Sequence, residues 1–292
     1  MSRSVWLECA LNGPWGRDLQ PAIPVTADEI VEAGIAAHGE GAAILHFHAY
    51  DEVTGRQRDD AAIYAPIIER LRRATGAIVY PTLPIAGSTL SGPGGSAVER
   101  FSHVEALAKM GLIEWAVVDP GSVNFARRDA AGHHMPGFIY ANPDDHIRRG
   151  LELAALYRFH PSFAIYEPGF TRLGAHVARL VPAPQAIYRF MFSEQFAWGF
   201  PPTAYALDAH LALLSDEAAG APWMIAGLGV DLVELIAMAV ESGGHVRAGL
   251  EDARFGTPMD NGVLTAIAAR EIARAGGALA TPAIIRAALA LT

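Results

Sequence analysis

The chain has a single cysteine, Cys9, in 292 residues. One thiol excludes an intramolecular disulfide framework and a cysteine-rich zinc site, and a reducing compartment is the expected setting. Any bound metal must therefore take histidine and carboxylate ligands. Basic residues are also in short supply: 22 Lys and Arg stand against 31 Asp and Glu, a formal net charge of −9. With no Lys/Arg stripe, this balance argues against a general affinity for nucleic acid or an anionic membrane, so neither is expected as a partner. Long hydrophobic runs are absent too. The opening "MSRSVWLECALNGPWGRD" sets Arg3, Glu8 and Arg17 around a short apolar stretch. That suits neither a signal h-region nor a membrane span, and a cytoplasmic protein is expected.

What is present is enough apolar residue for a large core, at 51% of the chain, in a length that fits one domain over residues 1–292. Short β-rich runs recur eight times: "VWLECAL" (5–11), "AAILHFH" (42–48), "AIVYPTL" (77–83), "EWAVVD" (114–119), "SFAIYE" (162–167), "AIYRFMF" (186–192), "WMIAGLG" (223–229) and "HVRAGL" (245–250). Helix-length segments separate them. In "TADEIVEAGIAAHGEG" (26–41) Thr26 and Glu29 make a capping box, and in "NPDDHIRRGLELAALYRF" (142–159) Asn142 precedes a proline at the first helical position. Eight β-then-α units in a chain slightly longer than the roughly 250 residues typical of the fold predict a single (β/α)8 TIM barrel. No linker divides it; "GSTLSGPGGSA" (87–97) reads as a βα loop.

Active sites of such barrels lie at the C-terminal ends of the strands. "ILHFHAYD" (44–51) puts His46 and His48 there. Residues i and i+2 share a strand face, so both imidazoles point into the barrel mouth and Phe47 faces the helices. A lone histidine reads as a core residue; two on one face suit a shared metal, zinc above all. The best third ligand is Glu251 in "GGHVRAGLED" (243–252), giving a His₂Glu site with open positions. Arg247 shares strand parity with Glu251, and Asp252 lies just past the strand. The plain reading of that pair is a rim salt bridge. Beside a metal it is also what enolate chemistry requires, since the metal polarises a carbonyl and a carboxylate removes the α-proton.

Four motifs, "ALNGP", "PAIPVTADEI", "HFHAYD" and "GGHVRAGLED", occur in order across essentially the whole chain, which resembles the β-keto acid cleavage enzyme family. The resemblance implies a Zn²⁺-binding (β/α)8 barrel, one ion per chain. It also implies acyl exchange between a β-keto acid and the co-substrate acetyl-CoA, giving acetoacetate and a new CoA ester, in a homo-oligomer, a tetramer. On it, His46, His48 and Glu251 match the metal ligands, and Arg247 and Asp252 the catalytic pair. Substrate-facing positions are Asn12, Trp15, Thr82, Val117 and Asp119. Thr82 aligns with a carboxylate-binding hydroxyl, and Val117 stands where a second hydroxyl is found. Trp15 replaces a glutamate that, in the first-described member, contacts a substrate amino group. With Tyr50 and Tyr80 it is expected to form an aromatic wall, which suits either an apolar tail or, by cation–π attraction, a quaternary ammonium; the apolar or neutral tail is the favoured reading. Asp119 either faces a cationic tail or caps the following turn.

Two other functions fit parts of the pattern. A metal-dependent hydrolase of the amidohydrolase kind also uses His-x-His in a barrel, but on the first strand and with more histidines at later strand ends, where this chain has Tyr166, Phe192 and Gly229. A non-catalytic metabolite-binding barrel would have no use for Arg247, Glu251 and Asp252 together. "AGLGVD" (226–231) lacks the third glycine and acidic partner of a dinucleotide fingerprint and reads as strand–helix packing. "GHHMP" (133–137) reads as loop. His38, His103, His146, His160, His176 and His210 fall on helical or linker positions, and "SEQF" (193–196) is a weaker substrate-contact candidate.

Overall fold

Each of the eight apolar runs becomes a strand of one parallel sheet in a computed structural model that describes residues 3–84, 95–129, 132–135 and 137–290. The strands are β1 (Leu7–Ala10), β2 (Ile44–Phe47), β3 (Ile78–Pro81), β4 (Trp115–Val117), β5 (His160–Ile165), β6 (Ile187–Phe192), β7 (Trp223–Gly227) and β8 (His245–Ala248). They are hydrogen-bonded in the order 3-2-1-8-7-6-5-4, and β3 lies against β4, bringing the ends of the sheet round. The result is a (β/α)8 TIM barrel. A short parallel pair, Arg3–Val5 with Gly277–Leu279, joins the two ends of the chain.

The principal helices are α1 (Ala27–Gly39), α2 (Ala61–Thr75), α3 (Ser102–Lys109), α4 (Asp144–Tyr157), α5 (Pro168–Leu180), α6 (Ala204–Glu217), α7 (Val233–Glu241), α8 (Asn261–Arg274) and α9 (Pro282–Ala290). Among the described residues no helix is long and apolar enough to cross a membrane. The capping box of α1 forms as the sequence indicates: the Glu29 amide donates to Thr26 Oγ1 and the Thr26 amide to Glu29 Oε2. Such a cap stabilises a helix start by about 1 kcal/mol. Helix α4 starts one residue later than expected, with Pro143 as its N-cap. The cause lies next door: Asn142 donates its backbone N–H to Ser122 Oγ and its side-chain amide to Gly121 O, both at 2.7 Å, and is held outside the helix. His160 heads β5 instead of lying in a linker, and in "GHHMP" His134–Met135 pairs with Arg127–Arg128 as a two-residue ribbon. Of the loop expected over 87–97, residues 87–94 lie outside the described residues; Ser96 caps a short helical turn, Ala97–Arg100.

Strand alternation decides what the barrel encloses. Phe47 faces outward, its ring 5.2 Å from that of Tyr64 on α2. The N-terminal end is closed by aromatic packing, with Trp6 stacked on His245 at 4.0 Å and 6.0 Å from Trp115. Above that plug the interior is polar: Glu8, His46, Arg189 and Arg247 are all buried. Barrel interiors are usually filled by branched apolar side chains, and burying charge is costly unless it is paired. A polar interior at the C-terminal end therefore marks where the chemistry sits.

Candidate active site

The metal-ligand candidates converge. His46 and His48 leave β2 on one face, and the turn after β8 carries Glu251 across to them. Imidazole Nε2 of His46 lies 3.4 Å from Glu251 Oε2, and that of His48 lies 3.6 Å from Oε1. One ligand atom from each residue falls within 4.8 Å of the others, and all three side chains are buried. His48 Nε2 and Glu251 Oε2 have no hydrogen-bond partner, although a buried polar atom left unpaired costs about 1–3 kcal/mol. A cation between them satisfies both. Protonation agrees: burial holds the His46 imidazole well below its usual pKa, so it is neutral and its lone pair is free. Burial opposes charge on Glu251 too, but Arg247 and the imidazoles hold its carboxyl well below the usual range. The set of two imidazoles and one carboxylate fits a divalent ion, zinc included.

Orientation of His48 is fixed from both sides. Its backbone N–H donates to Asn12 Oδ1 at 2.8 Å, and the Asn12 amide donates to His48 O and Pro24 O at 2.9 Å. Gln57 Nε2 donates to both Asp59 oxygens, so its Oε1 faces His48 Nδ1, at 2.9 Å. That assignment puts the ring proton on Nδ1 and turns Nε2 toward the ligand cluster.

Next to the cluster, Arg247 and Asp252 form a buried fork. Arg247 Nε is 3.0 Å from each Asp252 oxygen, and its Nη2 is 2.5 Å from Oδ1 and 3.1 Å from Glu251 Oε1. Asp252 Oδ2 also accepts the Gly227 N–H at 3.1 Å. Packing explains the first glycine of "AGLGVD": a Cβ on Gly227 would lie 2.2 Å from the Val230 side chain and 2.9 Å from Phe192 O. Burial pushes the Asp252 carboxyl above its ordinary pKa, with Glu251 adding to the shift and Arg247 opposing it. This is the direction a base working near neutral pH needs. Beneath the cluster, Glu8 accepts from Tyr80 Oη at 2.6 Å and lies 3.6 Å from Arg247 Nη1. Glu8, Glu251 and Asp252 thus share one guanidinium, while Arg189 sits 3.6 Å from Asp119. The local excess of two negative charges is what a dication offsets.

The candidate ligand cluster opens into a narrow pocket of about 40 Å³, lined on one side by His46, His48 and Glu251 and on the other by aromatic rings. Trp15, Thr82, Val117 and Asp119 all line it; Asn12 does not, because its amide holds the His48 backbone. Trp15 Nε1 donates to Glu251 O at 2.9 Å. Its ring partners are Phe196 and Phe255, at 5.6 and 5.1 Å. Tyr50 and Tyr80 do not join them. Tyr50 Oη donates to Gly13 O at 2.5 Å, and Tyr80 points into the barrel, 4.6 Å from the His46 ring. Their hydroxyls are taken by Gly13 O and by Glu8, and neither ring stacks on Trp15. The far wall is made by Phe125, Phe138, Tyr140 and Tyr166. Asp119 caps no turn: it accepts Tyr140 Oη at 2.7 Å and the Ala164 N–H at 2.8 Å.

The sequence matches the family described as beta-keto acid cleavage enzyme over residues 4–291. The chain belongs to that family. It is 25% identical to a 3-keto-5-aminohexanoate cleavage enzyme of Fusobacterium nucleatum, over 85% of this chain and 80% of that protein. It is also 25% identical to a 3-dehydrocarnitine:acetyl-CoA trimethylamine transferase of Rhizobium meliloti, over 100% and 98%. A 3-oxoadipate:acetyl-CoA acetyltransferase of Cupriavidus necator is 26% identical over 86% and 81%. Among solved structures, apo ObcA superposes with a TM-score of 0.71 at 15% identity; 92% of this chain is covered, and the chain spans 66% of the length of that longer protein.

A strand-end search misses several residues of this family member's site. Gln57 lies in a loop ribbon with no motif around it, and the Phe125–Tyr140 wall comes from the loop after β4. Arg189 did leave a signal, a single cation inside the apolar run "AIYRFMF".

Proposed function

We propose that this protein is a metal-dependent acyl-exchanging enzyme that converts a β-keto acid and acetyl-CoA into acetoacetate and a new acyl-CoA. The observation that carries this is a His46–His48–Glu251 ligand set lining the narrow pocket with a buried Arg247–Asp252 pair directly behind it, Arg247 Nη2 lying 3.1 Å from Glu251 Oε1. His46, His48 and Glu251 would hold a divalent ion, zinc by donor set, which would supply Lewis-acid polarisation of the substrate. The chain's residues do the rest. Asp252 takes the C2 proton, and Arg247, with three donor contacts to it, fixes the carboxylate's orientation and keeps it available. The C2 carbanion attacks the acetyl carbonyl and expels CoA thiolate. The thiolate then adds to the original keto carbon, the C2–C3 bond breaks, and protonated Asp252 returns its proton to C2 of acetoacetate. Protons and acyl groups balance without a further cofactor.

The pocket also selects the tail. Asp119 is committed to Tyr140, Ala164 and Arg189, so among the described residues no free carboxylate lines this pocket beside Trp15 to hold a primary ammonium. Aromatic rings and Leu228 form the walls instead, and we assign a neutral, apolar tail. Mass-spectrometric screening of β-keto acids with acetyl-CoA tests the reading: acetoacetate and the matching acyl-CoA should rise together. Turnover that needs no acetyl-CoA would favour a hydrolase and overturn it. A single-domain cytoplasmic homotetramer is proposed on the family resemblance.

A further inference from the structure

A second cavity lies beside the His46–His48–Glu251 cluster, not on it. It measures about 360 Å³ and sits between α7, α8 and the loops that follow β7 and β8. Its walls are mainly apolar, from Leu232, Ile236, Met259, Leu264 and Ile267, with Thr257 adding a polar edge. Volume and lining fall in the range of small-molecule sites, about 300–1,000 Å³ with few polar groups.

We propose that this cavity holds the pantetheine arm of acetyl-CoA, an apolar chain with two amides that ends in the reacting thioester. The inference rests on the acyl exchange proposed above. Two observations support it. Asp252 and Arg247 both line the large cavity, so an arm lying in it ends beside the base. Phe255 lines it as well, and its ring packs edge-on to Trp15 of the catalytic pocket at 5.1 Å, so a single aromatic contact separates the two spaces. The location also agrees with the fold: phosphate-bearing ligands of (β/α)8 barrels gather at the loops after the seventh and eighth strands, which here frame the cavity. Arg254 stands there for the nucleotide phosphates, its pairing to Glu194 being an exposed one and worth little on its own.

Filling the cavity from opposite walls tests this. Ile267→Trp enters from α8 and Met259→Trp from the loop, and both side chains are half-buried, so each ring has the cavity to occupy. Isothermal titration with CoA itself, on the metal-bound full-length protein, should show affinity falling at least tenfold in both variants. The KM for acetyl-CoA should rise in parallel, with the KM for the keto acid and the metal content unchanged. Wild-type affinity for CoA in both folded variants would overturn the proposal, as would a change of oligomeric state with CoA binding intact, which would make the cavity an interface between copies. The two readings fail separately. A wild-type protein that binds CoA, loses it in the variants and turns over no keto acid would keep the cavity and remove the acyl exchange.

Discussion

Replacing Asp252 by Asn separates its two roles, because the side chain keeps its size and loses its charge. Asp252 receives three contacts from Arg247 and one from Gly227 N–H. An amide offers one acceptor where the carboxylate offers two, so either Gly227 N–H or part of the guanidinium loses its partner. That costs about 1–3 kcal/mol of stability. Arg247 still has Glu251 at 3.1 Å and Glu8 at 3.6 Å, so the loss stays below the 3–5 kcal/mol of a fully broken buried pair. The metal ligands are untouched and metal content should not change. Turnover should fall about 10²–10⁴-fold with the base gone, equivalent to roughly 3–5 kcal/mol of barrier. Proton NMR in D₂O gives the decisive signal: enzyme-catalysed exchange at C2 of the keto acid, measured above the spontaneous rate, should disappear with turnover. Exchange retained at the wild-type rate in a metal-loaded Asp252→Asn protein would refute the assignment of the base.

Elemental analysis should find one divalent ion per chain, lost in His46→Ala/His48→Ala; Gln57→Leu, which frees the His48 ring, should weaken metal binding about 10–100-fold in chelator competition, and unchanged affinity would remove Gln57 from the account. His210 is fully buried, stacks on Phe190 at 4.5 Å, and has neither ring nitrogen bonded; burial pushes its pKa down to about 4. Unfolding restores a value near 6.5, so this residue withdraws stability as pH falls from about 6.5 to about 4, reaching roughly 3 kcal/mol. Melting curves of His210→Phe should show a weaker acid dependence than wild type, and parallel curves would contradict the shift. Among substrates with equal chain length, a primary ammonium tail should give kcat/KM about 10–100-fold below a neutral one; a preference for the amine would overturn the reading of Trp15 and Asp119.

Much of this was legible in the sequence because it depends on strand parity and strand ends. Seven of the eight strands lie within their apolar runs and β5 starts two residues ahead of its run, at His160; the His-x-His pair and "GLED" land at neighbouring strand ends because β2, β1 and β8 are consecutive in the sheet. Contacts set by long loops were not legible. Trp15 meets Phe196 and Phe255, brought in by the loops after β6 and β8, whereas Tyr50 and Tyr80 turn to acceptors of their own. Asn12 looked like a substrate contact through its motif, yet both ends of its amide are taken by backbone. Glu8 and Arg189 were readable as charges inside apolar strands, and what they pair with depends on barrel closure.

The acyl exchange itself is tested most directly by labelling both acetyl carbons of acetyl-CoA with ¹³C and following products by mass spectrometry. The account predicts that both labels enter acetoacetate, at C3 and C4, while the new acyl-CoA is unlabelled and carries the acyl group of the keto acid. Label released as acetate, or acetoacetate formed without label, would contradict it.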